Sequence, residues 1–280
     1  MSSGQKVAVV TGSSSGIGLE TAVVLAKNGF LTYATMRSTA KGKEISDRVA
    51  REKLAVRIAQ LDVTNDDSIR KAVDKIVSEA GRIDVLVNNA GYGVGGAFED
   101  TSVQEASAMF ETNLFGVMRV TQAVLPQMRK QRSGVIVNIS SAAGRLGYPG
   151  ASLYVSSKFA LEGLSEAVAY ELEPFGIRVA VVEPGVISTN FGNAMVIAKK
   201  AQDPNSPYAE LMQKMGSTWE QMIASGSAPE VVANKVLEAA TSQKPELRRI
   251  AGKDVEIWMQ ARNSMNDAEF FAMMKQNFLK

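Results

Sequence analysis

Tyr154 and Lys158 stand four residues apart within Tyr154-Val155-Ser156-Ser157-Lys158. On a helix this spacing puts a phenol and an ammonium one turn from each other on the same face. A free phenol titrates near ~10, and a cation within about 4 to 6 Å lowers it by ~1 to 3 units, which makes tyrosine a usable proton donor or acceptor. Thirteen residues before Tyr154, the run Asn138-Ile139-Ser140-Ser141 closes an apolar segment, so a serine hydroxyl can reach the same space. Together these residues point to proton chemistry.

A second constellation points to phosphate. Thr11-Gly12-Ser13-Ser14-Ser15-Gly16-Ile17-Gly18 follows the apolar run Val7–Val10 directly and opens a helical pattern. Glycines at this point let the backbone turn tightly and approach a pyrophosphate, whose charge is met by free N–H groups and the positive end of the helix dipole. At the end of the next apolar run, where a carboxylate would read a ribose hydroxyl, stand Met36 and Arg37. A guanidinium without a carboxylate favours the extra phosphate of NADP(H) over NAD(H), with Ser13 and Ser38 as candidate helpers.

Other local patterns lead nowhere. Gly12-Ser13-Ser14-Ser15-Gly16 fits a nucleophile elbow, but the chain has no histidine to act as its base. Gly91-Tyr92-Gly93-Val94-Gly95-Gly96 matches the dinucleotide fingerprint literally, yet Ala97-Phe98-Glu99-Asp100 follows instead of an immediate helix. It reads as a flexible loop beside the site. The glycosylation sequon Asn138-Ile139-Ser140 lies in an apolar strand and carries no meaning.

The elements that must position these residues follow from the apolar runs. Lys6–Val10, Leu31–Thr35, Val56–Leu61, Ile83–Asn88, Val135–Ile139 and Ile177–Glu183 read as strands, mostly without polar alternation, as strands covered on both faces do. Between them, Gly18–Asn28, Asp66–Ala80, Val103–Lys130 and Ser152–Pro174 carry apolar residues at helical spacing. The pattern predicts one α/β domain over residues 1–280: a doubly wound parallel sheet (Rossmann fold) to about residue 190. A lid over 190–228 and a helical C-terminal extension over 245–280 complete it. Pro229 suits the first turn of a helix ending near Thr241, Leu247–Ala251 reads as a last strand and Val255–Phe278 as helical.

Composition sets the outer limits. The 280 residues are 45% apolar and 21% charged, with 31 basic against 29 acidic side chains and a formal charge of +2. That balance gives no broad field for nucleic acid. The absence of cysteine and histidine excludes disulfides, thiolate nucleophiles, Ser-His-Asp mechanisms and the usual zinc sites, so no metal site is expected. No apolar run approaches the ~18 residues of a membrane span, and nothing before Val7 resembles a secretory leader, which makes a cytoplasmic protein the expectation.

On these motifs together the chain resembles the short-chain dehydrogenase/reductases of the compact type, over roughly residues 5 to 190. The resemblance implies a cofactor cradle at Gly12, Ser13, Ser14, Ser15, Gly16, Ile17 and Gly18. It also implies an adenine-contacting acid at Asp62 with Val63, and the Asn-Asn-Ala-Gly turn at Asn88, Asn89, Ala90 and Gly91. The catalytic tetrad falls on Asn113, Ser141, Tyr154 and Lys158. The turn after the sixth strand falls on Pro184-Gly185, and Ile187 and Thr189 would contact the nicotinamide carboxamide. In the implied mechanism Tyr154 passes the proton, Ser141 holds the substrate oxygen, Lys158 depresses the Tyr154 pKa and holds the ribose, and Asn113 keeps a relay water in line. Glu183 is read as structural.

A homodimer or homotetramer through helices at about 105–130 and 152–174 is also implied. Tyr33-Ala34-Thr35-Met36-Arg37, Lys244-Pro245-Glu246-Leu247-Arg248-Arg249 and Gly252-Lys253-Asp254 are similar to the subgroup of 17β-hydroxysteroid and retinol dehydrogenases. The expected partner is a small-molecule carbonyl or alcohol, hydrophobic because Met195, Val196, Ile197, Tyr208, Leu211, Met212, Met215, Trp219 and Met222 would make an apolar lid. An epimerase or dehydratase with tightly held NAD, and a cofactor-binding regulator without turnover, are the alternatives.

Overall fold

The computed structural model describes residues 4–188, 195–244 and 246–279. Its strands are β1 (Val7–Val10), β2 (Leu31–Met36), β3 (Val56–Gln60), β4 (Val85–Asn88), β5 (Gly93–Gly95), β6 (Gly134–Ile139), β7 (Ile177–Pro184), β8 (Met195–Ile197) and β9 (Arg248–Ala251). Seven of them form one sheet in the order β3-β2-β1-β4-β6-β7-β9, every pair parallel. Parallel neighbours need a crossover, which α1 (Gly16–Lys27), α2 (Lys43–Glu52), α3 (Asp66–Ala80), α4 (Val103–Phe110), α5 (Gly116–Gln131), α6 (Ser152–Leu172), α7 (Ala209–Ala224) and α8 (Pro229–Thr241) provide.

The period-two geometry of a strand explains the two layers. Ala8 and Val10 pack with α1, α2 and α8 on one face, whereas Val7 and Val9 pack with α3, α5 and α6 on the other. All four β1 residues are buried, so the strand needs no polar alternation. The sheet grows from β1 outward to β3 and from β4 outward to β9. The chain therefore changes direction between β1 and β4, and this switch point opens a crevice at the carboxyl ends of the strands.

Several expectations need correction. The helical stretch expected over Val103–Lys130 is interrupted by a π-helical turn at Glu111–Phe115. The extra residue in that turn swings Asn113 into the interior, where it is 2% exposed. The glycine segment expected to be a flexible loop instead forms β5, which pairs in parallel with β8. The C-terminal helical stretch breaks into α9 (Lys253–Ser264) and α10 (Asp267–Phe278), because Asn266 and Glu269 form a capping box that starts a new helix. The expected last strand is present as β9, at the edge beside β7.

Candidate active site

The glycine loop is fixed from below by the turn after β4. Thr11 Oγ1 accepts the backbone N–H groups of Asn89 and Ala90, both at 3.0 Å, and Asn89 Nδ2 donates to the carbonyls of Thr11 and Gly12 at 2.9 and 3.1 Å. These contacts leave no room for side chains. A Cβ on Gly12 would lie 2.8 Å from Ala90 Cα, and one on Gly18 would lie 2.4 Å from the Gly12 carbonyl oxygen. Gly12 and Gly16 also hold φ of 68° and 57°, conformations that glycine adopts without strain. Ser15 is the N-cap of α1, but its side chain caps nothing, so the first N–H groups of the helix face the crevice unclaimed by a capping side chain. That is the donor set a pyrophosphate needs.

Ser13 is placed differently from its neighbours. It is wholly buried, with its hydroxyl donating to the Val10 carbonyl at 2.8 Å and its N–H to Thr35 at 2.9 Å. It ties the loop to β1 and β2 and does not line the crevice, so it is no phosphate helper. Ser38 does line it, beside Arg37 and Lys41. Lys41 escaped the sequence reading, since it lies past the strand in a short 3-10 turn with no local pattern to mark it.

The proton-handling residues meet where the crevice deepens. Tyr154 and Lys158, both 7% exposed, sit on successive turns of α6, and the ammonium lies 5.6 Å from the centre of the tyrosine ring. Lys158 Nζ donates to the Ile139 carbonyl at 2.8 Å. Of the two serines, Ser141 is the one whose side chain hydrogen-bonds Tyr154. Asn113 lies behind them and does not line the crevice. It clamps Tyr92, accepting its N–H at 3.0 Å and donating to its carbonyl at 2.8 Å.

The electrostatics depart from expectation. Burial pushes the Tyr154 phenol up to about 12, and the Ser141 hydrogen bond only partly offsets this. Burial also pulls Lys158 down to about 8, against the raising field of Glu162. The direction is thus the opposite of that expected for Tyr154: removing both groups from water disfavours phenolate and ammonium alike. Glu183, 1% exposed, is raised by burial and paired with Arg145 at 3.1 Å, away from the crevice.

The crevice is one continuous cavity of about 1200 Å³. Its cationic arm holds Arg37 and Lys41, its centre Tyr154, Lys158, Pro184, Gly185 and Ile187, and its far arm Tyr148, Trp219 and Trp258. Asp62, Val63, Asn89, Ala90 and Gly91 border it as well, with Asp62 Oδ1 already accepting from Thr64. Thr189 lies outside the described residues. Met195, Val196, Ile197, Met212, Met215 and Trp219 line the far arm, whereas Tyr208 turns away to donate to Glu99 at 2.8 Å, and Leu211 and Met222 do not line it. Tyr148 and Trp258 were not foreseen: one lies in an irregular segment, the other in a helix remote in sequence. They join Trp219 around Phe278 of α10, whose ring stacks on Tyr148 at 5.6 Å.

The fold is that of the short-chain dehydrogenase class. The profile of the short chain dehydrogenase family matches residues 6–200, and the chain belongs to that family. It is 38% identical over 252 residues to a 3-ketodihydrosphingosine reductase of Bacteroides thetaiotaomicron, covering 90% of each chain. With human retinol dehydrogenase 8 it shares 37% identity over 259 residues, 89% of this chain and 82% of the other. A short-chain dehydrogenase from Streptomyces avermitilis superposes with a TM-score of 0.82 at 37% identity, covering 98% of this chain and 97% of that one. Structural neighbours bind NAD or NADP. Among the described residues no helix is long and apolar enough to cross a membrane.

Proposed function

We propose that the chain is an NADP(H)-dependent oxidoreductase acting between the nicotinamide and the carbonyl or secondary alcohol of an apolar small molecule. The observation that carries this reading is the meeting of Tyr154, Ser141 and Lys158 at the junction between the cationic and aromatic arms of one cavity. When bound, the cofactor supplies or accepts the hydride.

The chain's own residues do the rest. Free N–H groups at the start of α1 hold the pyrophosphate, and Arg37 with Lys41 takes the additional phosphate. Lys158 holds the ribose hydroxyls. Ser141 donates to the substrate oxygen and stabilises charge as it develops there. Tyr154, kept protonated by its burial, gives its phenolic proton to that oxygen in the direction of reduction. Asn113, fixed on Tyr92, keeps a water in line behind Lys158 for proton resupply.

The far arm defines the substrate class. Its lining is aromatic and methionine-rich, and the charged side chains among it are the carboxylates Glu105 and Glu220. Such a surface favours neutral or cationic substrates over anionic ones. Relatives named for 3-ketodihydrosphingosine and for retinol fit that class. Residues 190–228, of which 190–194 lie outside the described residues, act as the lid and the C-terminal extension as its back wall. Phe159 and Tyr170 of α6, 46% and 71% exposed, are the apolar side chains through which a homo-oligomer would form.

The test is a nicotinamide fluorescence titration with NADPH and NADH at matched salt, followed by a screen of ketones and aldehydes. Tighter NADPH binding and turnover of apolar neutral carbonyls are expected. Tight cofactor binding with no turnover on any carbonyl or alcohol would overturn the reading.

A further inference from the structure

The four-residue spacing that joins Tyr154 to Lys158 does not stop there. Glu162 and Glu166 continue it along α6, so one stripe of the helix presents phenol, ammonium, carboxylate and carboxylate on successive turns. Glu162 is 4% exposed, which is rare for a carboxylate unless it has work or a partner. Its partner comes from the last strand: Arg248 Nε bonds Glu162 Oε2 at 2.9 Å while the other arm of the guanidinium holds Glu166 at 2.5 Å. The same Nε lies 3.6 Å from Glu183, which Arg145 reaches from the turn after β6.

Lys158, Arg145 and Arg248 thus share one neighbourhood with Glu162, Glu166 and Glu183, three cations against three carboxylates drawn from α6, β7, β9 and the turn after β6, of which Lys158, Glu162 and Glu183 are buried and the other three reach solvent. The second oxygen of Glu162 has no partner among the described residues, and neither does the Ser140 hydroxyl. Both flank Gly144, where a Cβ would lie 2.6 Å from Ser140 Oγ and 3.2 Å from Glu162 Oε1. Only a glycine fits there, so Gly144 packs directly against this buried carboxylate oxygen.

We propose that Glu162 is a positioning residue of the active site: anchored by Arg248, its carboxylate balances the Lys158 ammonium from the buried side. A buried ammonium held by a backbone carbonyl, as Lys158 is by Ile139, is costly unless a countercharge is near. Glu162 is the group whose field opposes the loss of the Lys158 proton. Arg248 restrains the carboxylate in place and, lying within reach of both, offsets part of the repulsion between Glu162 and Glu183. The arrangement also gives Lys244-Pro245-Glu246-Leu247-Arg248-Arg249 a purpose at the catalytic centre, although it lies far outside the glycine-loop domain in sequence.

The inference rests on Tyr154 and Lys158 handling the proton, so the experiment carries both. Turnover with NADPH is measured from pH 6 to 10 for the natural enzyme, Glu162→Gln and Tyr154→Phe, with cofactor binding followed by fluorescence. The alkaline fall in turnover, set by Lys158 losing its charge near 8, is expected to move to lower pH by about 1 unit in Glu162→Gln. The paired variant Glu162→Met with Arg248→Met, which leaves no unpaired charge from this ion pair, covers the case in which the single change does not fold, and the same displacement is expected. An unshifted alkaline limb in a folded, NADPH-binding Glu162 variant, with Tyr154→Phe inactive, overturns the role of Glu162 alone. Turnover surviving in Tyr154→Phe removes the reading beneath it.

Discussion

The backbone N–H of Val186 donates to Asp254 Oδ2 at 2.6 Å, across 68 residues of sequence. Val186 follows the Pro184-Gly185 turn at the centre of the cavity, and Asp254 opens α9. The carboxylate packs so closely that a Cβ on Gly185 would lie 2.2 Å from its Oδ1. On the other side Ser227 donates its N–H to the Val186 carbonyl at 3.0 Å and accepts that of Ser188 at 2.8 Å. The turn is gripped from two sides, both supplied by chain beyond the lid's first strand. Asp254→Ala should leave a buried N–H unsatisfied at a cost of ~1 to 3 kcal/mol. Weaker cofactor binding and slower turnover together are expected, read by fluorescence titration and initial rates. An unchanged cofactor affinity would show that the turn holds its shape without the carboxylate.

Removing the phenolic hydroxyl separates chemistry from binding. Tyr154→Phe should lower turnover by about 100-fold or more, the usual worth of a positioned proton donor. Its affinity for NADPH should stay within about twofold. Single-turnover kinetics with saturating cofactor checks both halves of the statement.

Lys158 makes the protein pay for function in stability. Burial moves it from 10.5 to about 8, so between those values the unfolded chain holds a proton that the folded chain has released. Stability from this group therefore rises with pH through that window and is lost as pH falls through 8. Lys158→Met should be the more stable protein at pH 7 by up to ~3 kcal/mol, with the gap closing towards pH 10.5. Urea unfolding at pH 7 and pH 10 measures the gap, and the variant should be catalytically dead at both.

Arg37 and Lys41 stand exposed at one end of the cavity, where a phosphate would meet two cations. Arg37→Ala should weaken NADPH by about tenfold or more, the worth of a hydrogen bond to a charged group, while NADH binding is unaffected. Parallel titrations in low and high salt test this, since the loss should shrink as salt screens exposed charges. Equal losses for both cofactors would assign Arg37 to the adenosine instead.

Much of this architecture was legible because apolar runs and helical stripes are imposed by burial on both faces of a parallel sheet. The Tyr154–Lys158 turn, the glycine loop and even the edge strand β9 follow from local spacing alone. What was not legible depends on distant chain. The π-helical turn that buries Asn113 is set by a two-point clamp on Tyr92, 21 residues away. Helix α2 buries only Ile45 and so leaves almost no apolar stripe to detect. The strand character of Gly93–Gly95 exists only because Met195–Ile197 comes to pair with it. Burial of Tyr154 also reverses the direction expected for its phenol, because spacing shows that two groups are near but not how dry their surroundings are.

The small β5–β8 pair links the far arm of the cavity to the glycine loop. Its first strand continues from Asn89–Gly91, the turn whose N–H groups fasten on Thr11 beneath the glycine loop, and its second strand opens the stretch proposed as the lid. Glu105 fastens that stretch further by accepting the Lys199 N–H at 2.9 Å. The first strand of the stretch 195–228 is thus joined, through β5 and the Asn89–Gly91 turn, to the backbone beneath the glycine loop, so the substrate end and the phosphate end of the cavity share one continuous scaffold.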